Sequence, residues 1–489
     1  MSRLIRTLLI IIIVIIGYLL FNTFTFSSTQ ISVTPAEVIS IPGDVSQHLS
    51  KAIRIQTISH ENPADFDSVQ FRLFNEYMKT TYPLADSLLE LTYINEFSHL
   101  YYWPGADQTL KPVIFMGHLD VVPAAAENLE LWDAAPFGGE IKDGYIWGRG
   151  TIDDKISVIG NMEAVEYLLS QNYQPTRSMY FAFGHDEELG GVYGAIPIVA
   201  HLKELGVEAE YVIDEGFAIS QGMIPGIDKD VALIGTAEKG FVSLTLSLDM
   251  EGGHSSMPAP ETAIDVLSRA VVKLKDNPFE AEITPPVRDF IRHAGPEMTF
   301  LQKLAFANAG LLGSVIVKTY ESTPSGNALV RTTTSPTIIN AGVKENVIPY
   351  KASATVNFRI LPGSTVEDVK ERVIRLIDDE RIKVTQGSFS SDPPPATSPD
   401  SFGYQVLNKT IREIFPEVIT SPNLVVGATD SRHYSPLTND ILRFTPFYLN
   451  QDNIKTFHGV NERIPVSDFE NAVRFYIRLI ENSTSDSNG

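Results

Sequence analysis

The residues best suited to chemistry in this chain are acids and histidines gathered in short clusters. His118 and Asp120 form an H-x-D pair that closes the apolar run KPVIFMGHLD. Asp153 and Asp154 are adjacent in GRGTIDDK, a glycine-rich turn. Asp186, Glu187 and Glu188 are consecutive, Asp214 and Glu215 end the run EAEYVIDEG, and His458 stands far downstream in FHGVNERI. Taken singly, such groups have ordinary explanations: paired carboxylates cap helices or face water, and a lone histidine is commonly structural. Repeated at the ends of successive apolar runs, they are harder to explain that way. Like charges brought together repel and raise one another's pKa, a cost that a cation relieves. The chain has no cysteine, so a metal would have to be held by His, Asp and Glu. Histidine with carboxylate suits zinc, and a carboxylate-rich set suits a pair of divalent ions, cobalt or manganese included.

To act together, these clusters must be delivered to one place. KPVIFMGHLD, RSMYFAFGHDEE and EAEYVIDEG read as buried strands, and ISVIGNMEAVEYLLSQ between the first two has helical spacing. Strand, helix, strand in this rhythm predicts an α/β fold with a mostly parallel central sheet, whose functional groups collect at the carboxyl ends of its strands. From about Ala237 the pattern changes. KGFVSLTLSLDM and KASATVNFRILPG alternate apolar and polar residues, as strands with one wet face do, around the amphipathic ETAIDVLSRAVVKLKD. This predicts an inserted α+β domain over 237–361, between catalytic segments 45–236 and 362–485. Within the insertion, the apolar stretch 301–317 reads either as core or as a groove for an acyl chain.

With 38 basic and 60 acidic side chains the net charge is 38 − 60 = −22, which argues against a nucleic-acid partner. Arg3 and Arg6 precede an apolar run that extends to about Phe26, long enough to cross a bilayer. The arginines should stay in the cytoplasm, which predicts a single anchor over 1–26, a linker over 27–44 and a catalytic domain on the extracytoplasmic side. A cleavable signal peptide is the rival reading, but no small-x-small site follows the run. The absence of cysteine in so large an exported protein points to a bacterial source, and hence to the periplasm.

GHLDVVP, GRGTIDDK, HDEELGG, VIDEG, GGHSSMP, TDSRHY and FHGVNERI, in this order, resemble the co-catalytic zinc family of aminoacylase and carboxypeptidase S, peptidase family M20. The resemblance implies a zinc-peptidase catalytic domain with an inserted lid and dimerisation domain, two Zn²⁺ per chain and a homodimer formed through the insertion. Residue by residue, it implies that Asp153 bridges the two ions, with His118 and Asp214 on one side and Glu188 and His458 on the other. Asp120 would orient the His118 ring, and Glu187 would be the general base. His254, in GGHSSMP, would stabilise the oxyanion, often from the partner subunit. Arg432 in TDSRHY is the candidate for gripping a substrate carboxylate, because its planar fork matches one through two hydrogen bonds; a structural salt bridge is the competing reading. Asn346 and Arg359 are further candidates for lining the cleft.

The expected activity is hydrolysis, or synthesis in reverse, of the amide bond of N-acyl amino acids. A carboxypeptidase or dipeptidase on the same scaffold is the alternative. A receptor without catalysis would need a missing ligand or base, and all are present.

Overall fold

A computed structural model describes residues 3–484; residues 1–2 of the expected anchor and 485–489 at the far end lie outside the described residues. The middle of a ten-stranded sheet is formed by β1 (Val113–His118) lying between β2 (Met179–Gly184) and β3 (Tyr211–Asp214), all parallel. Every residue of these strands is buried, because both faces are covered. Phe115, Phe181 and Ile213 join one apolar cluster, with helices Lys155–Ser170 and Val466–Thr484. Ile114, Ala182 and Val212 point the other way, onto Ile198, Val199 and Leu202 of helix Ala195–Glu204.

The sheet is mixed rather than mostly parallel. Strands Glu90–Ile94 and Ser98–Trp103 are joined by a tight turn and must run antiparallel; the second of them pairs antiparallel with β2. Asn95 and Glu96 make that turn in the left-handed region. Strand Val231–Glu238 also has antiparallel partners in Ile219–Ser220 and Ile441–Arg443.

The insertion is built on a separate four-stranded antiparallel sheet of β4 (Gly240–Asp249), β5 (Thr333–Ala341), β6 (Lys351–Ile360) and β7 (Lys383–Ser391), in the order β5-β6-β4-β7. β4 and β6 alternate buried and part-exposed residues, and their buried side packs against helices Ala263–Asp276 and Val366–Ile377. The sheet therefore takes a helix and an edge strand from beyond residue 361, where the sequence reading closes the insertion. β7 reads KVTQGSFSS, too polar to announce itself as a strand. Conversely, helix Pro285–Ala294 packs back on the catalytic sheet, Phe290 and Ala294 meeting Val231, Leu233 and Ile419.

The N-terminal helix α1 (Arg3–Thr25) is long and apolar enough to cross a membrane. The segment after it is docked rather than free. Gln30 exchanges hydrogen bonds with the Thr420 backbone, Ala36 N donates to Glu413 O, and Arg474 Nε donates to Ile39 O. The apolar stretch 301–317 falls on a helical hairpin, α2 (Phe300–Ala307) and α3 (Ala309–Glu321), bent by 120°.

Candidate metal centre and substrate cleft

Asp153 lies at the junction of the site. Its Oδ1 is 3.1 Å from His118 Nε2, and its Oδ2 is 2.9 Å from His458 Nε2. Glu188 Oε1 is 3.3 Å from the same nitrogen of His458, and Glu215 Oε1 is 3.4 Å from His118 Nε2. Ligand atoms of His118, Asp153 and Glu188 lie within 4.8 Å of one another, as do those of His118, Asp154 and Glu215.

The His118 tautomer follows from its partner. Nδ1 is 2.9 Å from the Asp120 carbonyl oxygen, which can only accept, so Nδ1 carries the proton. Nε2 faces Asp153 and Glu215, and a bound cation would find its lone pair there once the ring is neutral. Asp120 orients His118 chiefly through this carbonyl, its carboxylate being farther from Nδ1, at 3.4 Å. That carboxylate accepts from the backbone N–H of Glu187 at 3.1 Å and of Glu188 at 3.2 Å, and from the Ser59 hydroxyl. Asp120 thereby joins the ends of β1 and β2.

Asp214 ends β3 and Glu215 follows it, but their side chains diverge. Asp214 Oδ2 accepts from the Ser431 N–H at 3.0 Å, and Glu215 turns to His118. The sequence reading puts Asp214 beside His118; in the folded chain Glu215 has that position. Two adjacent acids cannot be ranked by type, and the rotation of the last strand residue decides between them.

Glu462 is a residue the sequence reading passed over, although it lies within FHGVNERI. Its Oε1 accepts from the N–H groups of Gly150 and Ile152, both at 2.9 Å, and its Oε2 accepts from Arg149 Nη1 at 2.7 Å. Arg149 Nη2 donates to Gly459 O at 2.8 Å. The turn carrying Asp153 is thus fastened to the turn carrying His458. Ser59 was also missed, and nothing in its local sequence marks it. The glycine pair after the acidic triplet has a steric reason. Gly191 takes φ +72°, and an added Cβ there would collide with the Asp430 carboxylate.

The charge balance fits a cation. Burial, reinforced by Asp430, Glu215 and Glu188 against the pull of His118, pushes Glu187 well above the usual carboxylate range. Burial and Asp153 push Glu215 up to about 8. The buried Asp154 Oδ2 and Glu188 Oε1 have no hydrogen-bond partner. Crowded carboxylates, two of their oxygens without a donor, beside two histidines form a donor set that divalent ions complete.

A cleft of about 1110 Å³ opens over the centre, with Asp153, Glu187, Glu188, Glu215 and His458 in its floor. One flank is apolar, made by Pro63, Phe66, Phe97, Leu189, Val192 and Tyr193. The lining also carries Arg359 over the Phe241 ring at 4.7 Å and Arg432 over the Phe389 ring at 5.1 Å. Arg432 also donates to the carbonyls of Thr429 at 2.7 Å and Gly190 at 3.3 Å, while its Nε is buried without a partner. His254, Asn346 and residues 301–317 do not line this cleft. His254 is exposed on the short strand Gly253–His254, its Nδ1 accepting from Ser256.

Residues 114–482 match the model of peptidase family M20/M25/M40. The chain belongs to that family. It is 41 % identical to probable carboxypeptidase S-like 2 of Dictyostelium discoideum, over 95 % of this chain and 91 % of that protein. It is 40 % identical to N-fatty-acyl-amino acid synthase/hydrolase PM20D1 of Xenopus tropicalis, over 99 % of this chain and 96 % of the relative. An M20 family metallo-carboxypeptidase from Sulfolobus solfataricus shares the fold at TM-score 0.64 and 17 % identity, covering 90 % of this chain and 99 % of that one. This M20 chain is therefore a hydrolase of amide bonds, and membership implies a divalent-metal centre, for which His118, Asp153, Glu188, Asp154 and Glu215 are grouped.

Proposed function

We propose that the protein hydrolyses, and in reverse forms, the amide bond between a long acyl group and an amino acid, using two zinc ions. The observation that carries the metal assignment is Asp153, whose two oxygens face two different histidines. On this reading Asp153 would serve both ions, His118 and Glu215 would hold one, and Glu188 and His458 would hold the other. When bound, such an ion pair supplies Lewis acidity, acidifying a water and polarising the amide carbonyl. Glu187, in the floor of the cleft beside the metal ligands, takes the proton of the attacking water and delivers it to the leaving nitrogen. Asp120 keeps His118 in its ligating tautomer. Arg432, with Arg359 beside it, holds the substrate carboxylate, and the apolar flank of Phe66, Phe97 and Val192 receives the acyl chain.

The 40 % identity to an N-fatty-acyl-amino acid synthase/hydrolase supports this substrate class. His254, outside the cleft of its own chain, is assigned to the oxyanion of a partner subunit. The exposed edge strand β5, with Ile338 and Ile339 in water, is the surface through which a homodimer would form. The apolar α1 is assigned as an uncleaved anchor holding the catalytic body outside the cytoplasm.

The test compares zinc-loaded protein on a long-chain N-acyl amino acid and on a dipeptide. Higher kcat/KM on the acyl amino acid supports the proposal. Preference for the dipeptide would move the protein to the carboxypeptidase side.

A further inference from the structure

The α2–α3 hairpin presents an apolar face with no protein against it. Leu301 is 77 % exposed, Leu311 60 %, Val315 56 % and Phe300 50 %, and within the two helices only Ile316 is buried. Lys303 is the only charged residue between 300 and 317. A soluble hairpin buries its large apolar residues, and this one leaves Phe300, Leu301, Leu311 and Val315 in the open.

The hairpin is also locked to the end of α1. Asn22 Nδ2 donates to Asn308 Oδ1 at 2.9 Å, Asn308 Nδ2 donates to Leu19 O at 3.1 Å, and the Phe24 and Phe300 rings lie 6.4 Å apart. At 1.5 Å per residue, Leu19 lies about 9 Å short of the end of α1 at Thr25. A helix of 23 residues has little length to spare over a hydrocarbon core of about 30 Å, so a contact at Leu19 falls inside the outer leaflet. The docked segment after α1 leaves no slack to lift the body away.

We infer that the α2–α3 hairpin is a second membrane-contacting element, its tip around Asn308–Leu312 immersed among the phospholipid acyl chains beside α1. This inference rests on the anchor assignment proposed above. The catalytic body then sits directly on the bilayer, where acyl amino acids with long chains partition, and does not swing on a tether.

The chain has no cysteine, so single cysteines report cleanly. Full-length protein in phosphatidylcholine vesicles is spin-labelled at Ile12→Cys, Leu301→Cys, Leu311→Cys and, as a water-facing control on helix Ser68–Thr81, Leu73→Cys. The expected result is dissolved oxygen relaxing the first three labels more than an aqueous nickel complex does, and the reverse at 73. Lipid exposure at 12 with water exposure at 301 and 311 overturns the hairpin inference and leaves the anchor standing. Water exposure at all three overturns both. Protection of 301 and 311 from both reagents overturns the inference in favour of a second copy covering the face. Introducing Leu301→Glu with Leu311→Glu should lower turnover of a vesicle-borne long-chain N-acyl amino acid by about tenfold or more, since charge is poorly tolerated in hydrocarbon. Turnover of a dissolved N-acetyl amino acid should hold, and unchanged turnover of the vesicle-borne compound would count against the inference.

Discussion

Arg149 Nη1 donates to Glu462 Oε2 at 2.7 Å, and neither side chain reaches solvent. Glu462 also caps the Gly150 and Ile152 amides, so one carboxylate fastens the Asp153 turn to the His458 turn.

Removing that strut should cost both stability and metal. Glu462→Ala leaves the Arg149 charge buried and unpaired, which typically costs about 3–5 kcal/mol. Thermal unfolding together with zinc content per chain checks this. An unaltered melting temperature and full zinc would mean that the two turns hold their positions without it.

Glu187 and Asp153 should separate cleanly. Glu187→Gln removes a proton carrier but no assigned ligand, so zinc content should hold while kcat falls by about 10²–10⁴. Asp153→Ala should lose both ions and stability together, because metal binding is coupled to folding. Substantial activity in Glu187→Gln would remove its assigned role.

Glu215 and Asp214 offer a direct choice. Since Glu215 faces His118 and Asp214 holds the Ser431 amide, Glu215→Gln should weaken zinc binding more than Asp214→Asn does. A partner that only orients a ligand typically costs about 10–100-fold in affinity. Competition against a chelating dye measures both, and the opposite ranking would restore Asp214 as the ligand.

The metal-free protein should lose stability as pH rises. Burial lifts Glu215 from 4.5 to about 8, and the facing carboxylates of Asp153 and Glu188 lift His458 from 6.5 to about 10. Burial pulls His118 down, but Asp120, Asp153 and Glu215 outweigh it and raise it well above 6.5. In each case the folded chain keeps protons that the unfolded chain has released, so stability falls as pH climbs through those windows. Zinc displaces the same protons, so its binding strengthens with pH. Melting curves of chelated and zinc-loaded protein from about pH 5 to about pH 9 should diverge, and a chelated protein that gained stability with pH would contradict the charge balance described here.

Much of the clustering was legible in the order of residues, because β1 and β3 are apolar runs that end in His118 and Asp214, and β2 is one that runs straight into His185 and the acidic triplet. Buried parallel strands need that composition, and their carboxyl ends converge by topology. His118, Glu187 and Glu188 could therefore be expected at one sheet edge, while the roles of all the site residues, Asp153 and His458 included, came from the family resemblance. The change of pattern at β4 was legible too, where alternation marks a sheet with one wet face.

Tertiary structure decided what periodicity does not encode. The choice between Asp214 and Glu215 depends on which carboxylate the Ser431 amide captures, a contact between segments far apart in sequence. The extent of the insertion depends on β7, whose polar sequence becomes a strand only because the edge of β4 is open to it. The stretch 301–317 has the composition of a core, yet it lies outside, joined to α1 through Asn22 and Asn308. Local sequence sets which faces are apolar; which surfaces those faces meet is settled only when distant segments pack.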